Sequence, residues 1–186
     1  MTNKYGKYDN THREYVVTLT NNEWTPRPWS NIITNKNFGT LVTSSGASFT
    51  WFLNSALFRL TPWVNDVVTE NSGELVYLSD ETTGEVWSPM PLPLREKTAY
   101  ETRHGLGYTT FLHTSHQLLQ KVNIFVHPKN PVKYIEIALR NLARVPRKIS
   151  LSYYCQWVLG SFPENTNRLL WTGISPKKDA IIAKIL

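Results

Sequence analysis

A single cysteine, Cys155, has no partner for an intrachain disulfide, which excludes a disulfide framework and makes a reducing, cytoplasmic location the expectation. It lies in an apolar run and reads as a small buried hydrophobe rather than a nucleophile. No stretch approaches the ~20 apolar residues of a membrane-spanning helix, so no transmembrane segment is expected. The opening Met1-Thr-Asn-Lys-Tyr-Gly6 lacks the apolar core of a signal peptide. Four consecutive Lys or Arg never occur. The net charge of +6 is dispersed, densest only between Arg144 and Lys148, whereas a nucleic-acid partner needs a concentrated basic face. His104, His113, His116 and His127 have no cysteine or carboxylate companions at zinc-like spacing, so no metal is expected. Ser45-Gly-Ala-Ser48 lacks the strand–Gly-x-Ser-x-Gly–helix setting of a nucleophile elbow. No glycine-rich loop heads a helix that would hold phosphate on its amides.

What is present is aromatic and turn-rich: seven Trp, nine Tyr, eleven Pro and nine Gly. Outside cores, Trp and Tyr gather where a polar tip must meet an apolar body, as at ligand and partner surfaces. The length suits one domain, 1–186, with enough apolar sequence for a core.

Alternation with period two dominates. Glu14–Thr20 is β-branched and bounded by Asn21-Asn22; Pro26 and Pro28 force the segment holding Trp24 and Trp29 to be extended and irregular. Phe38–Thr43 and Ala47–Trp51 flank Ser44-Ser-Gly46, a hairpin signal, and Glu74–Ser79 and Val86-Trp87 flank a second turn, Asp80–Gly84. Met90–Leu94 reads as extended. Tyr108–His113 pairs with Leu118–Val126, and Val132–Arg140 and Arg147–Tyr154 alternate most strongly, joined by the polar turn Asn141–Pro146. Ala180–Leu186 fits a short helix or a strand. No helical stripe precedes it, and strands spaced by turns every 8–12 residues predict an all-β antiparallel sandwich. Trp51, Trp87 and Trp157 fall in strand patterns and are assigned to the core; Trp24 and Trp29 suit packing against another domain. The apolar run to Leu186 leads to the expectation that the polypeptide continues or that another chain covers this region.

Between two of these strand patterns lies Arg59-Leu-Thr-Pro-Trp-Val-Asn-Asp66, which gathers guanidinium, indole, amide and carboxylate around a proline. Aromatic faces stack on sugar rings and fixed polar groups read hydroxyl directions. Arg59, Trp63, Asn65 and Asp66 are therefore candidate sugar contacts. The structural alternative has Asp66 closing a turn and Trp63 filling a sandwich edge. Arg103-His-Gly-Leu-Gly-Tyr108 places a cation, an imidazole and a phenol on a segment whose glycines permit close backbone approach. Arg103, His104 and Tyr108 are the second candidate group, against an alternative in which Arg103 merely pairs with Glu101.

Trp24-Thr-Pro-Arg-Pro-Trp-Ser-Asn31, Phe38-Gly-Thr-Leu-Val42, Ser45-Gly-Ala-Ser-Phe-Thr-Trp51, Arg59–Asp66, Gly84-Glu-Val-Trp-Ser-Pro89, Arg103–Thr109 and Tyr154-Cys-Gln-Trp-Val-Leu-Gly160 stand in a fixed order. Over about residues 5–160 they resemble the N-terminal β-sandwich of glycoside hydrolase family 94, formerly glycosyltransferase family 36. The resemblance is greatest to cyclic β-1,2-glucan synthases and 1,2-β-oligoglucan phosphorylases, and weaker to cellobiose and chitobiose phosphorylases. It implies a galactose-mutarotase-like supersandwich, here shorter than the family domain. In the family an α/α-toroid supplies the catalytic acid and inorganic phosphate is the co-substrate attacking with inversion. The chain is thus expected to have no catalytic residue and no cofactor of its own. Its expected partners are a β-glucan or oligosaccharide and either a second copy, as a homodimer, or a catalytic domain. A stand-alone carbohydrate-binding module and a structural remnant of a truncated gene are the alternatives.

Overall fold

A computed structural model describes residues 3–21, 23–66, 68–177 and 179–186; Asn22, part of the predicted boundary after the first long strand, lies outside them. In chain order the strands are β1 (Gly6–Asp9), β2 (Glu14–Leu19), β3 (Ser30–Thr34), β4 (Phe38–Thr43), β5 (Ser48–Phe52), β6 (Glu74–Asp80), β7 (Val86–Trp87), β8 (Tyr100–Gly105) and β9 (Tyr108–Ser115). β10 (Leu118–Val126), β11 (Lys133–Asn141), β12 (Ile149–Cys155), β13 (Leu170–Ile174) and β14 (Ile181–Ile185) follow, with a single helical turn, α1 (Pro163–Thr166), after β12. The Ala180–Leu186 segment is thus a strand.

Among the described residues the strand pairings are antiparallel. A six-stranded sheet runs β1-β2-β8-β9-β10-β11, and smaller sheets run β3-β4-β5, β12-β6-β7 and β13-β14. On β10, Leu118, Gln120, Val122, Ile124 and Val126 point inward while their neighbours face out, so one residue of slip would expose the whole buried row. Val122 and Ile124 meet Ile33, Phe38 and Val42 of β3 and β4 and Val76 of β6 in a single core. The predicted β4–β5 hairpin turns at Gly46, whose φ of +93° disfavours any side chain. The Asn141–Pro146 turn does not close a hairpin: β11 pairs with β10, whereas β12 pairs with β6 in another sheet. Of the three tryptophans assigned to the core, Trp87 is buried. Trp51 is only half-buried, its ring laid over Gly39 beside Phe49, and Trp157 is half-buried beyond the end of β12.

The inward row of β6 reads Glu74, Val76, Leu78, Asp80, with a carboxylate at each end. Arg147 answers Asp80 at 2.6 Å. At the other end Lys133 of β11 crosses between sheets to Glu74, which also accepts from Thr50 (2.6 Å), Thr61 (2.7 Å) and Ser48 (2.8 Å). Burial works to raise the Glu74 carboxyl, but the Lys133 charge and these hydroxyls outweigh it and hold it below the usual range. Beside this pair Cys155 is half-buried, less enclosed than the sequence reading had it, because β12 is an edge strand. Burial still pushes its thiol up to about 12, so it stays protonated.

Between β11 and β12 the sandwich is open. Val76, Lys133, Ile135, Ile137, Leu151 and Tyr153 line a slot of about 310 Å³, and Leu151 and Tyr153 remain about half exposed. The β13–β14 ribbon is likewise apolar on its outside, through Ile174, Ile181 and Leu186.

Replacing Lys133 with Met leaves Glu74 buried without its counter-charge and is expected to cost about 3–5 kcal/mol in urea unfolding. The deficit should narrow on acidification, since the orphaned carboxyl can then take up a proton. In the parent chain the sign is opposite: Glu74's folded pKa is depressed, so its contribution is complete above the unfolded value of about 4.3 and is lost as pH falls through the folded one.

Candidate functional site

The two groups of candidate residues fold into different parts of the rim. Arg59 bridges the backbone of Trp51 on one side and Gly160 on the other. Its Nε donates to the Ser55 carbonyl at 3.1 Å, and its guanidinium lies 5.7 Å from the Phe162 ring centre. Thr61, two residues on, ties the segment to the core through its hydrogen bond to Glu74. Trp63 bridges to Ser72 and packs its ring on Phe49 at 5.0 Å. Asn65 is exposed. Asp66 accepts at Oδ1 from the amides of Val68 (2.8 Å) and Thr69 (3.3 Å), and these bonds hold its carboxyl below the usual range. A depression of about 480 Å³ lies alongside, lined by Pro62, Val64, Ser72, Gly73 and Tyr77 among others.

The second group is set by the β8–β9 hairpin. Gly107, with φ of +85°, makes its turn, and a Cβ on Gly105 would stand 2.4 Å from the Tyr108 ring that crosses it. That close approach aims the Tyr108 hydroxyl at Glu14 of β2, to which it donates at 2.7 Å. Arg103 is engaged by three carboxylates: Glu101 at 2.6 Å, Glu14 at 3.0 Å and Asp9 at 3.7 Å. Donating to Glu14 and Glu101 pushes the guanidinium's pKa up, and donating to Glu14 likewise raises the Tyr108 phenol. Glu14 in turn lies below the usual carboxylate range: burial opposes ionisation, but Tyr108 and Arg103 outweigh it.

His104 differs. Its Nδ1 lies 3.0 Å from the Thr109 hydroxyl, which also accepts from Asn31 at 3.2 Å and so has its own proton free for the imidazole. Nε2 is enclosed without a hydrogen-bond partner, and burial pushes the imidazole down to about 4. His104 borders a second, shallower depression with Tyr15, Pro26, Arg27, Pro28 and Trp29, about 790 Å³ in volume.

Three carboxylate clusters carried no motif. Asp9, His12 and Glu14 offer ligand-type atoms within 4.8 Å of one another, but the Arg103 guanidinium already lies against both carboxylates. Glu96 bridges His113 and His116, each at 2.7 Å, while His116 also meets Glu85 at 3.1 Å. Tyr100 stacks on His113 and Trp87 on His116. Glu70, with φ of +37°, forms the third cluster with Thr43 and Ser45. Separation in sequence hid most of these partners; Glu14, for example, is 89 residues from Arg103, although Asp9, His12 and Glu14 themselves lie within six residues.

Antiparallel sheets stacked on a main apolar core, with a smaller cluster at Leu78, Trp87 and Leu118 and aromatic and polar loops at the rim, define an all-β sandwich. Residues 13–185 match the model of the Glycosyl hydrolase 94 supersandwich domain, and the chain belongs to that family. It is 41% identical over 160 residues to the cyclic beta-(1,2)-glucan synthase NdvB of Rhizobium meliloti (strain 1021), covering 86% of this chain and 6% of that protein. It is 32% identical over 148 residues to a 3-O-beta-D-glucopyranosyl-beta-D-glucuronide phosphorylase of Paenibacillus borealis, covering 79% and 18%. With an N,N'-diacetylchitobiose phosphorylase of Vibrio furnissii the identity is 27% over 157 residues, covering 83% and 19%. The chain thus spans less than a fifth of each of these relatives. No helix among the described residues is long and apolar enough to cross a membrane.

Two outcomes follow. Arg103→Ala strands Glu14 and is expected to cost about 1–3 kcal/mol in denaturant unfolding. The His104 resonance should titrate near about 4. Because that folded value lies below the unfolded one of about 6.5, the unfolded state takes up the proton first, and stability declines as pH falls between them. His104→Gln should flatten that part of the pH profile.

Proposed function

We propose that this chain is a non-catalytic, carbohydrate-associated sandwich of a β-glucan phosphorylase or cyclic β-1,2-glucan synthase. It shapes the acceptor side of a site whose acid–phosphate chemistry is supplied by a separate catalytic domain. The observation that carries this reading is the family match together with the small share of each relative that the chain spans. Inverting phosphorolysis needs one general acid and a cradle for phosphate. The buried carboxylates support the reading, because each is tied into the scaffold: Glu14 by Arg103 and Tyr108, Glu74 by Lys133, Asp80 by Arg147. A cytoplasmic location agrees with the lone cysteine.

In this reading the rim residues contact glucan: Trp63, Asn65 and Arg59 from one loop, His104 from the β8–β9 hairpin. Arg103, Tyr108 and Asp66 act by fixing the backbone around them. The exposed apolar edge at Leu151, Tyr153 and the β13–β14 ribbon is the surface on which the domain pairs with a second copy or with the catalytic domain.

Titration with β-1,2-glucooligosaccharides, followed by tryptophan fluorescence, should give a saturable change that cello-oligosaccharides reproduce only weakly. Trp63→Ala should reduce it. Equal responses to both sugar series, or none at millimolar concentration, would remove the β-1,2-glucan assignment.

A further inference from the structure

A strand at the border of a sheet carries a row of unpaired amides and carbonyls, and natural proteins blunt it with proline, bulges or outward lysines. β11 borders the six-stranded sheet and lacks these guards. Its nine residues hold no proline and pair with β10 in unbroken register, and its lysine, Lys133, is turned inward to Glu74. The phase of the ladder fixes which groups are unpaired. The His127 amide donates to the Val132 carbonyl at 2.8 Å and the Leu142 amide to the Gln117 carbonyl at 2.9 Å, at opposite ends of the β10–β11 pairing. Hydrogen-bonded pairs alternate along an antiparallel ladder. The even-numbered residues of β11 therefore bond to β10, while Ile135, Ile137 and Leu139 aim their amides and carbonyls away from it. Among the described residues no hydrogen bond meets those groups.

The side chains of β11 are self-complementary along this edge. The odd-numbered row faces the core, and its Ile135 and Ile137 line the open slot with Leu151 and Tyr153. The outer row, Tyr134, Glu136, Ala138 and Arg140, is exposed. Among the described residues neither charge of that row forms an ion pair; Glu136 receives only the Asn123 amide, at 3.5 Å. An antiparallel second copy keeps its core face on the same side only when even residues stand opposite even ones. With Ala138 on the two-fold axis, Glu136 stands directly opposite Arg140 of the second copy, and Arg140 opposite its Glu136. Axes through residue 136 or 140 would instead oppose like charges. The Ala138 axis also sets exposed Tyr134 opposite exposed Leu142, and Ile137 opposite Leu139 at the mouth of the slot. The outer pairs are then of the non-hydrogen-bonded kind, whose side chains approach more closely, while Ile137 and Leu139 exchange both backbone bonds.

We propose that the β11 edge binds a second copy of this chain, antiparallel about a two-fold axis at Ala138, so that two six-stranded sheets become one continuous sheet. The partner is the chain itself because a two-fold interface must be self-complementary. The unpaired backbone groups, the apolar inward row and the opposed charges of β11 each find their match under that one axis. The proposal rests neither on the glucan reading nor on the pairing surface named with it, which lies on β12 and the β13–β14 ribbon.

The test is sedimentation equilibrium of the whole chain in parent, Glu136→Arg and Glu136→Arg/Arg140→Glu forms, with thermal unfolding to show that the variants fold. The parent should dimerise reversibly. Glu136→Arg opposes two pairs of guanidinium groups and should weaken association roughly tenfold. The double exchange restores both ion pairs in reverse and should regain it. Ala138→Cys sets two thiols opposite one another with Cα atoms roughly 4.5 Å apart, within disulfide range. Mild oxidation should therefore link Ala138→Cys into a covalent dimer but not Glu136→Cys, with the parent, carrying Cys155 alone, as control. A parent that stays monomeric at millimolar concentration would overturn the proposal. So would a dimer indifferent to Glu136→Arg, a double exchange that fails to restore association, or cross-linking through Glu136→Cys in place of Ala138→Cys. Each of these leaves the glucan reading untouched.

Discussion

The Lys133–Glu74 pair joins the six-stranded sheet to the sheets of β5 and β6, and the rim loop carrying Arg59 and Trp63 depends on it. Glu74 occupies an inward position of β6, where an apolar residue would ordinarily complete the row begun by Val76 and Leu78. A carboxylate there is tolerable only with a counter-charge and enough donors to replace its lost water. Lys133 supplies the first; Thr50, Thr61 and Ser48 supply the second. Because Thr61 belongs to the segment that carries Arg59 and Trp63, the same carboxylate anchors that rim loop to the core. Asp80 and Arg147 repeat the arrangement at the far end of β6.

This commitment of polar groups separates two kinds of rim residue. Arg103 and Tyr108 have the chemistry of ligand contacts but use it on Asp9, Glu14 and Glu101, so they stiffen the β8–β9 hairpin. His104, on the same hairpin, borders an aromatic and proline-lined hollow, but its Nε2 is enclosed. The Asp66 turn likewise spends its carboxylate on local amides. Arg103, Tyr108 and Asp66 are thus places where the fold is being held.

The strands were largely legible because period-two alternation with a buried face leaves a direct mark. Leu118–Val126 and the Ser44–Gly46 hairpin follow it closely. What alternation could not reveal is which strand goes to which sheet: β11 and β12 are consecutive and equally regular, yet they part to different layers. Short strands such as β1 and β3 carried too few residues to show a period, and Pro26 and Pro28 obscured the approach to β3. The ordered motifs placed the chain in its family. The pairing of Arg103 with Glu101 was legible, two residues apart, but its contacts with Asp9 and Glu14 and the Glu96 bridge between His113 and His116 come from segments distant in sequence, which no local pattern records.

In the proposed function these residues build and present a surface while bond cleavage is done elsewhere. Its most direct test is release of glucose 1-phosphate from β-1,2-glucooligosaccharides and inorganic phosphate by the purified chain. No phosphate-dependent release above the blank is predicted. Sustained turnover that disappears when one of this chain's own carboxylates is replaced, with the fold intact, would contradict it.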